Sequence, residues 1–372
     1  MIIVLDTNIL YESHFEDPSF VALFDLLSRS ENDSLVIPQL VIDEAVNLCR
    51  EALARIQRTM TQQIQQYHRW LGENLLSPLT DDKIQEAIAT YRHHLIDTFR
   101  RVEAEIRTYP VISHEVLVAK SLARKKPFTE DGQRGYRDAL IWASILDILI
   151  ETPPEEVAFI TKNSKDFFER DREILHSHLI AELHESNIDV ERIKVVKDLH
   201  SFVNSYVKPT MKQLDLESVR ADFSLGLGRY TKEDIEGAIL RALNDYQYSD
   251  EINPHDVGLP PEVETINPAY MEDITEFHAV DARELASGGW LINATATASI
   301  DFDFFIYKGD SYILEEENSI EVNDYDWNDH YIWAQAVKSV GMTLSLTFNE
   351  QTGTVTAIEI NAFSPLQSYQ TK

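Results

Sequence analysis

The sequence predicts an α/β protein in which a parallel sheet, layered between helices, carries a long helical hairpin and is followed by a smaller, mostly antiparallel β domain. Three observations predict this. Four short, β-branched apolar runs at residues 2–5, 35–37, 157–160 and 193–196 read as fully buried strands. Helical patterns separate them, which calls for parallel strands joined by crossovers with helices on both faces. After about Tyr206 the character changes, and from Tyr270 onward the chain takes up period-two alternation, the mark of antiparallel strands with one wet face.

Taken in order, Ile2-Ile3-Val4-Leu5 is a strand stopped by Asp6-Thr7-Asn8. Phe20, Leu23, Phe24 and Leu27 give residues 18–29 the spacing of an amphipathic helix. Leu35-Val36-Ile37, ended by Pro38, is the second strand. A helical block follows. One stripe runs through Leu48, Ala52, Ile56, Met60, Ile64, Tyr67 and Leu71 and breaks at Ser77-Pro78; a second runs through Ile84, Ile88, Tyr91, Leu95, Phe99, Val102 and Ile106 and stops at Pro110. Each is about 25 residues, or ~37 Å, and the short connection predicts an antiparallel hairpin. A shorter helix at 114–126 ends at Pro127, and a polar loop at 128–135 leads into a strongly apolar helix that Asp138 opens. Pro153-Pro154 admits the third strand, and a Leu- and Ile-rich helix at 171–186 precedes the fourth. Residues 215–246 are partly helical, and Asn253-Pro254 and Pro260-Pro261 read as linker. From Tyr270 the chain alternates, with β features at 291–298 and 342–348 and a hairpin turn at 349–353. The domains expected are 1–206, with 48–126 as a helical insertion, a helical connector and linker at 207–262, and an acidic β-rich domain at 263–372.

Composition narrows the function. The chain has 372 residues, a net charge of −30 and one cysteine, Cys49, which excludes an internal disulfide and a Cys-rich zinc site. No basic-then-apolar leader opens it, and its strongest apolar run, 139–150, holds Asp147 and is too short for a bilayer, so a soluble, cytoplasmic protein with no membrane partner is expected. The charge is uneven. From residue 206 there are 29 acids against 10 bases, whereas residues 83–137 hold 11 bases against 7 acids. Arg124, Lys125, Lys126, Arg134 and Arg137 gather just before Asp138. Two readings stand: a solvated face with i,i+4 pairs, or a wall that tracks a phosphate backbone. Tyr109 and Tyr136 are placed to stack on bases, while Tyr91 and Phe99 lie on the apolar stripe and read as core. His93-His94 diverge by about 100° on a helix and cannot share an ion; His176 and His178 read as structural for the same reason. The acidic runs Glu315-Glu316-Glu317 and 324–329 read as a solvated rim, on a β domain suited to oligomerisation, to a protein partner or to phosphate mimicry.

The acids carry the chemistry. Asp6 ends the first strand, Glu44 follows the second, Asp138 opens a helix, and Asn163 and Asp166 follow the third strand. Loops at the carboxyl ends of parallel strands converge on one crevice. Carboxylates gathered there repel one another, and a divalent cation with a taste for hard oxygen removes that penalty. Such ions activate water and clamp a phosphodiester, so no side-chain nucleophile is needed. No G-x-S-x-G elbow or P-loop offers another route.

Val4-Leu5-Asp6-Thr7-Asn8-Ile9-Leu10, the segment from Pro38 to Glu44, Arg137-Asp138-Ala139 and Ile160-Thr161-Lys162-Asn163 with Asp166-Phe167 resemble, in order, the four acidic motifs of the PIN-domain nucleases. The resemblance covers about residues 1–200. It implies a three-layer α/β/α fold and cleavage of single-stranded or structured RNA, more rarely DNA, with one or two Mg²⁺ or Mn²⁺ ions. On it, Asp6, Glu44 and Asp138 match the core acids and Asp166 the more variable fourth. Asn8 matches a polar residue that orients the first acid, and Thr161 one that shapes the third-strand loop. Two departures stand out: the long helical insertion, and Asn163 where many members carry an acid. Asp171 is a spare candidate for the fourth acid. The expected function is a metal-dependent endoribonuclease in a toxin or phage-defence setting. The alternatives are a structure-specific or single-strand DNA nuclease, with the hairpin as an arch, and a catalytically silent nucleic-acid-binding scaffold.

Overall fold

Four apolar residues with no polar face must be covered on both sides, and Ile2–Leu5 (β1) is the buried centre of a five-stranded parallel sheet in the computed structural model. The structure describes residues 1–11, 15–71, 79–169, 174–223, 232–246, 252–316 and 319–366. The chain forms two units: Met1–Phe15 with Leu26–Ser205, and Glu16–Asp25 with Tyr206–Lys372.

In the first unit β1 leads into one turn of helix, Thr7–Leu10 (α1). Pro18–Arg29 (α2) is the expected amphipathic helix, although residues 16–25 group with the second unit. Ser34–Pro38 (β2) pairs with β1, and Gln39–Leu71 (α3) starts at the next residue, so no break separates the helical insertion from the helix that carries Glu44. Asp81–Arg101 (α4) buries Ile84, Ile88, Leu95 and Phe99 and packs on α3, which places Phe99 in the core; Ile56 and Met60 of the first stripe are exposed. The break at Ser77-Pro78 lies outside the described residues.

The second stripe does not continue to Ile106. The helix ends at Arg101, Glu103 takes a left-handed φ of 56°, and Glu105–Arg107 (β3) adds a fifth strand beside β2. Pairing satisfies backbone groups that the β2 edge would otherwise expose, which outweighs one more helical turn. His114–Leu122 (α5) is shorter than the expected 114–126, because the chain turns at Arg124, whose φ is 53°. Tyr136–Glu151 (α6) is the apolar helix behind the sheet, and Val157–Ile160 (β4) pairs with β1. After one turn at Ser164–Phe167 (α7) comes Ser177–Glu185 (α8), which begins later than 171–186 because the His176 side chain caps it by accepting from His178 N; Asp171 lies outside the described residues. Ile193–Val196 (β5) completes the order β3-β2-β1-β4-β5, and Leu199–Phe202 (α9) follows.

The second unit is an antiparallel sheet with longer strands than the sequence suggests. Leu216–Asp222 (α10) and Lys232–Tyr246 (α11) precede Val263–Glu284 (β6) and Gly289–Tyr307 (β7). Ile313–Glu316 (α12), Glu321–Asp324 (β8), Tyr331–Asn349 (β9) and Thr354–Pro365 (β10) follow, in the sheet order β10-β9-β7-β6 with β8 on β9. The stretch read as connector and linker is part of this core: Val219 and Phe223 of α10 and Ile235 and Ile239 of α11 join Ile274, Phe304 and Leu346 of the sheet. Its helices carry an apolar face that packs on the sheet's inner side. Ser19 Oγ donates to Glu359 Oε2 at 2.5 Å, and Ala286 N donates to Asp25 Oδ1 at 2.6 Å. Among the described residues no helix is long and apolar enough to cross a membrane.

Candidate active site

Strand ends build the site. Asp6 leaves β1 in extended conformation and caps α1, its Oδ1 accepting from Thr7 N at 2.7 Å. Its Oδ2 accepts from Thr161 Oγ1 at 2.5 Å, just past β4, and from Asn8 Nδ2 at 3.0 Å. Asn8 also clasps the neighbouring loop, its Oδ1 accepting from Lys162 N at 3.0 Å. Thr161 Oγ1 in turn accepts from Asn163 N at 2.9 Å, and Asn163 Nδ2 donates to Asp138 Oδ1 at 3.0 Å. Thr7 Oγ1 donates to Glu44 Oε2 at 2.9 Å. One hydrogen-bonded chain therefore runs Glu44–Thr7–Asp6–Thr161–Asn163–Asp138, and every acid of it sits at a strand end or in the first turns of a helix.

Asp138 owes its position to Gly135. That residue has φ 100° and starts α6 where a Cβ would run into the Pro127 carbonyl, a place only glycine fills without strain. Asp6 is 3% exposed, and its carboxyl is pushed up to about 7. Burial is the main cause; Asp138 and Glu44 add repulsion, while the Thr161 and Thr7 hydrogen bonds work against it. Asp138 is also raised, by burial first and then by Asp166 and Glu44, with Asn163 opposing. These carboxylates feel one another's charge.

Two basic side chains from the predicted patch enter the site. Arg137 Nη1 pairs with Glu44 Oε1 at 2.5 Å, and Lys126 Nζ pairs with Asp166 Oδ1 at 3.1 Å while donating to Lys165 O at 2.6 Å. Arg124, Lys125 and Arg134, near them in sequence, are exposed. Asp166 is thus reached through Lys126 and the repulsion it exerts on Asp138, outside the hydrogen-bonded chain. His178 Nδ1 accepts from Lys126 N at 3.2 Å, so the histidine pair supports the basic loop. Tyr136 is 49% exposed at the mouth of α6, whereas Tyr109 is occupied, donating to Asp43 Oδ2 at 2.9 Å.

The donor chemistry suits a hard divalent cation: carboxylates only, with those of Asp6 and Asp138 raised by burial first and then by neighbouring acids. Among the described residues no three His, Cys, Asp or Glu side chains converge on one point. Glu44 and Asp166 turn instead to Arg137 and Lys126, so a bound ion would have to displace those cations.

Sequence reasoning passed over Thr7, which ties the first motif to Glu44, although its place directly after Asp6 was the available signal. It also passed over Glu182. This buried acid accepts from Lys120 Nζ at 2.8 Å and from Trp142 Nε1 at 2.9 Å, which pins α5 to α6 and α8 and so steadies the basic loop that follows α5. An acid inside the apolar run of α8 was the clue. Asp43 points the other way. Burial raises its carboxyl, but hydrogen bonds from Arg92, Tyr109 and Gln39 outweigh that and hold it below the ordinary range, so it anchors α4 and the β3 region.

Comparison with known proteins matches residues 3–167 to the family model of the PIN domain. Members of that family are generally nucleases, act on nucleic acid and generally use divalent metals. Neither the curated proteins nor the solved structures contain a significant match to the chain.

Proposed function

Because residues 3–167 are a PIN domain, we propose that this protein is a metal-dependent nuclease that hydrolyses phosphodiester bonds, with RNA as its substrate and endonucleolytic cleavage as its mode. The observation that carries the reading is the hydrogen-bonded chain from Glu44 through Asp6 to Asp138 at the carboxyl ends of β1 and β4. A structural turn or a simple helix cap does not require three acids from three distant segments to be wired together, two of them with raised pKa.

Asp6, Glu44, Asp138 and Asp166 are the residues that would hold one or two Mg²⁺ or Mn²⁺ ions. The ion, when bound, supplies Lewis acidity at the scissile phosphate and lowers the pKa of the attacking water. Thr7 and Thr161 aim the carboxylates of Glu44 and Asp6, and Asn8 fixes the loop after β4. Asn163 holds Asp138 where a further acid would only repel it. Arg137 and Lys126, once released from Glu44 and Asp166, have the reach and charge to pair with substrate phosphate. Arg124, Lys125 and Arg134 extend that wall and contact the backbone without reading bases.

The test is cleavage by the purified chain of labelled RNA, single-stranded DNA and flapped DNA with Mg²⁺, Mn²⁺ or EDTA. Metal-dependent cutting of RNA that Asp6→Asn or Asp138→Asn abolishes is the expected result. Cleavage of flapped DNA alone would favour the structure-specific DNA nuclease. Undiminished cleavage by both variants would remove the site.

A further inference from the structure

One end of the second unit's sheet is aromatic on the face that antiparallel strands ordinarily give to water. β7 and β9 alternate, so Phe304, Ile306, Ile332 and Ala334 are buried, and Phe305, Tyr307, Tyr331 and Trp333 point to the opposite side. The register sets Phe305 opposite Trp333 and Tyr307 opposite Tyr331. The turn between β8 and β9 folds Trp327 onto this platform, 5.8 Å from the Phe305 ring at 29° and 5.4 Å from the Trp333 ring. The fold does not finish covering it: Trp327 remains 50% exposed, Tyr325 52% and Tyr307 47%.

Carboxylates border the platform. Asp301 and Asp303 lie on the outer face of β7, Glu321 on β8 and Asp326 in the turn. Asp303 accepts a hydrogen bond from Trp333 that favours its charged form, yet burial still raises it. Asp301 is raised by burial and then by Asp303, Glu272 and Glu321, and its Oδ1 is buried with no hydrogen-bond partner among the described residues. A buried acceptor without a donor is a group that a cation would satisfy. The chain itself shows the pattern: Lys308 Nζ lies 5.6 Å from the centroid of the Tyr325 ring and 3.0 Å from Asp326 Oδ1.

We propose that this aromatic, carboxylate-rimmed face docks a basic, arginine-containing segment of a partner protein, one guanidinium stacking on Trp327 and pairing with Asp303, the rim carboxylate next to Phe305 on the same face of β7. Charge complementarity selects the occupant. From residue 206 onward the chain holds 29 acids against 10 bases, so the face attracts a cationic peptide and repels a phosphate backbone. Arginine suits it better than lysine, because a planar, weakly hydrated guanidinium both stacks on indole and pairs through two N–H groups with one carboxylate.

The test uses the full chain and a fluorescent eight-residue peptide of alternating arginine and glycine, followed by anisotropy. The expected result is saturable binding that Trp327→Ala weakens at least tenfold and Asp303→Asn also weakens, with a lysine-glycine peptide binding less tightly. Circular dichroism of the variants, whose changes lie in an exposed turn and on an outer face, checks that they are folded. Since a chain of charge −30 attracts any polycation, undiminished binding by Trp327→Ala overturns the proposal. So does direct binding of a fluorescent eight-nucleotide oligo-dT, without peptide, that Trp327→Ala abolishes, which would make the face a nucleic acid platform.

Discussion

Asp6 answers to two demands at once. It must be buried to cap α1 and tie β1 to β4, and it must be charged to take part in a cation site. Its carboxyl stands at about 7 against an ordinary 3.8. Below 3.8 both folded and unfolded chains hold the proton. Between 3.8 and 7 the unfolded chain has lost it and the folded chain has not, so the metal-free protein loses stability as pH rises through that window and levels off above 7. The full effect amounts to no more than about 4 kcal/mol. Thermal midpoints in EDTA from pH 4 to 8 should show this fall for the wild type and a flattened profile for Asp6→Asn; parallel profiles would assign the titration elsewhere. Thr161→Ala addresses a neighbouring question. It removes the donor that aims Asp6, and an outer partner of this kind is worth roughly 10–100-fold in metal affinity or activity. The variant should keep its fold and lose Mn²⁺ affinity by calorimetry. Unchanged affinity would reduce Thr161 to a strut.

At the scale of elements, the loop between α5 and α6 joins the basic wall to the acids. The side chains of Arg124 and Lys125 are exposed and make no hydrogen bond or ion pair among the described residues, so charge reversal there leaves the acid site undisturbed. Arg124→Glu with Lys125→Glu should weaken RNA binding and flatten its dependence on salt by about one unit of log–log slope for each phosphate the wall no longer neutralises. An unaltered slope would return the wall to a solvated face. Lys126 and Arg137 make a poorer test, since each also neutralises an acid. The helix ends show where pattern reading falls short. Val102 and Ile106 continue the stripe of α4 by spacing, but a vacant sheet edge recruits Glu105–Arg107 as a strand, and no local pattern announces a distant edge.

For the molecule as a whole, the second unit includes a segment from near the start of the chain. Residues 16–25 group with it, and Ser19 and Asp25 find partners at Glu359 and Ala286. A chain cut after residue 205 therefore keeps the whole parallel sheet but leaves the first turns of α2 without those partners. It should melt lower and aggregate sooner than the full protein by thermal shift and light scattering. Equal stability would make residues 16–25 indifferent to the sheet. The net charge of −30 also divides by unit, because the acids beyond residue 206 coat a sheet, whereas those near Asp6 are few and wired together.

The sequence by itself determined the parallel strands, the antiparallel sheet that follows them along the chain and where the four acids fall along the chain, Asp6 after a strand and the others in the segments that open helices, because burial on both faces, period-two alternation and polar strand termini are local patterns. Only the tertiary structure decided which groups each acid meets. That Thr7 reaches Glu44, that Asn163 reaches Asp138, and that Arg137 and Lys126 occupy two of the carboxylates depends on contacts between segments up to 155 residues apart. Side-chain partners at such separations follow from how the sheet and helices pack, and no spacing along the chain encodes them.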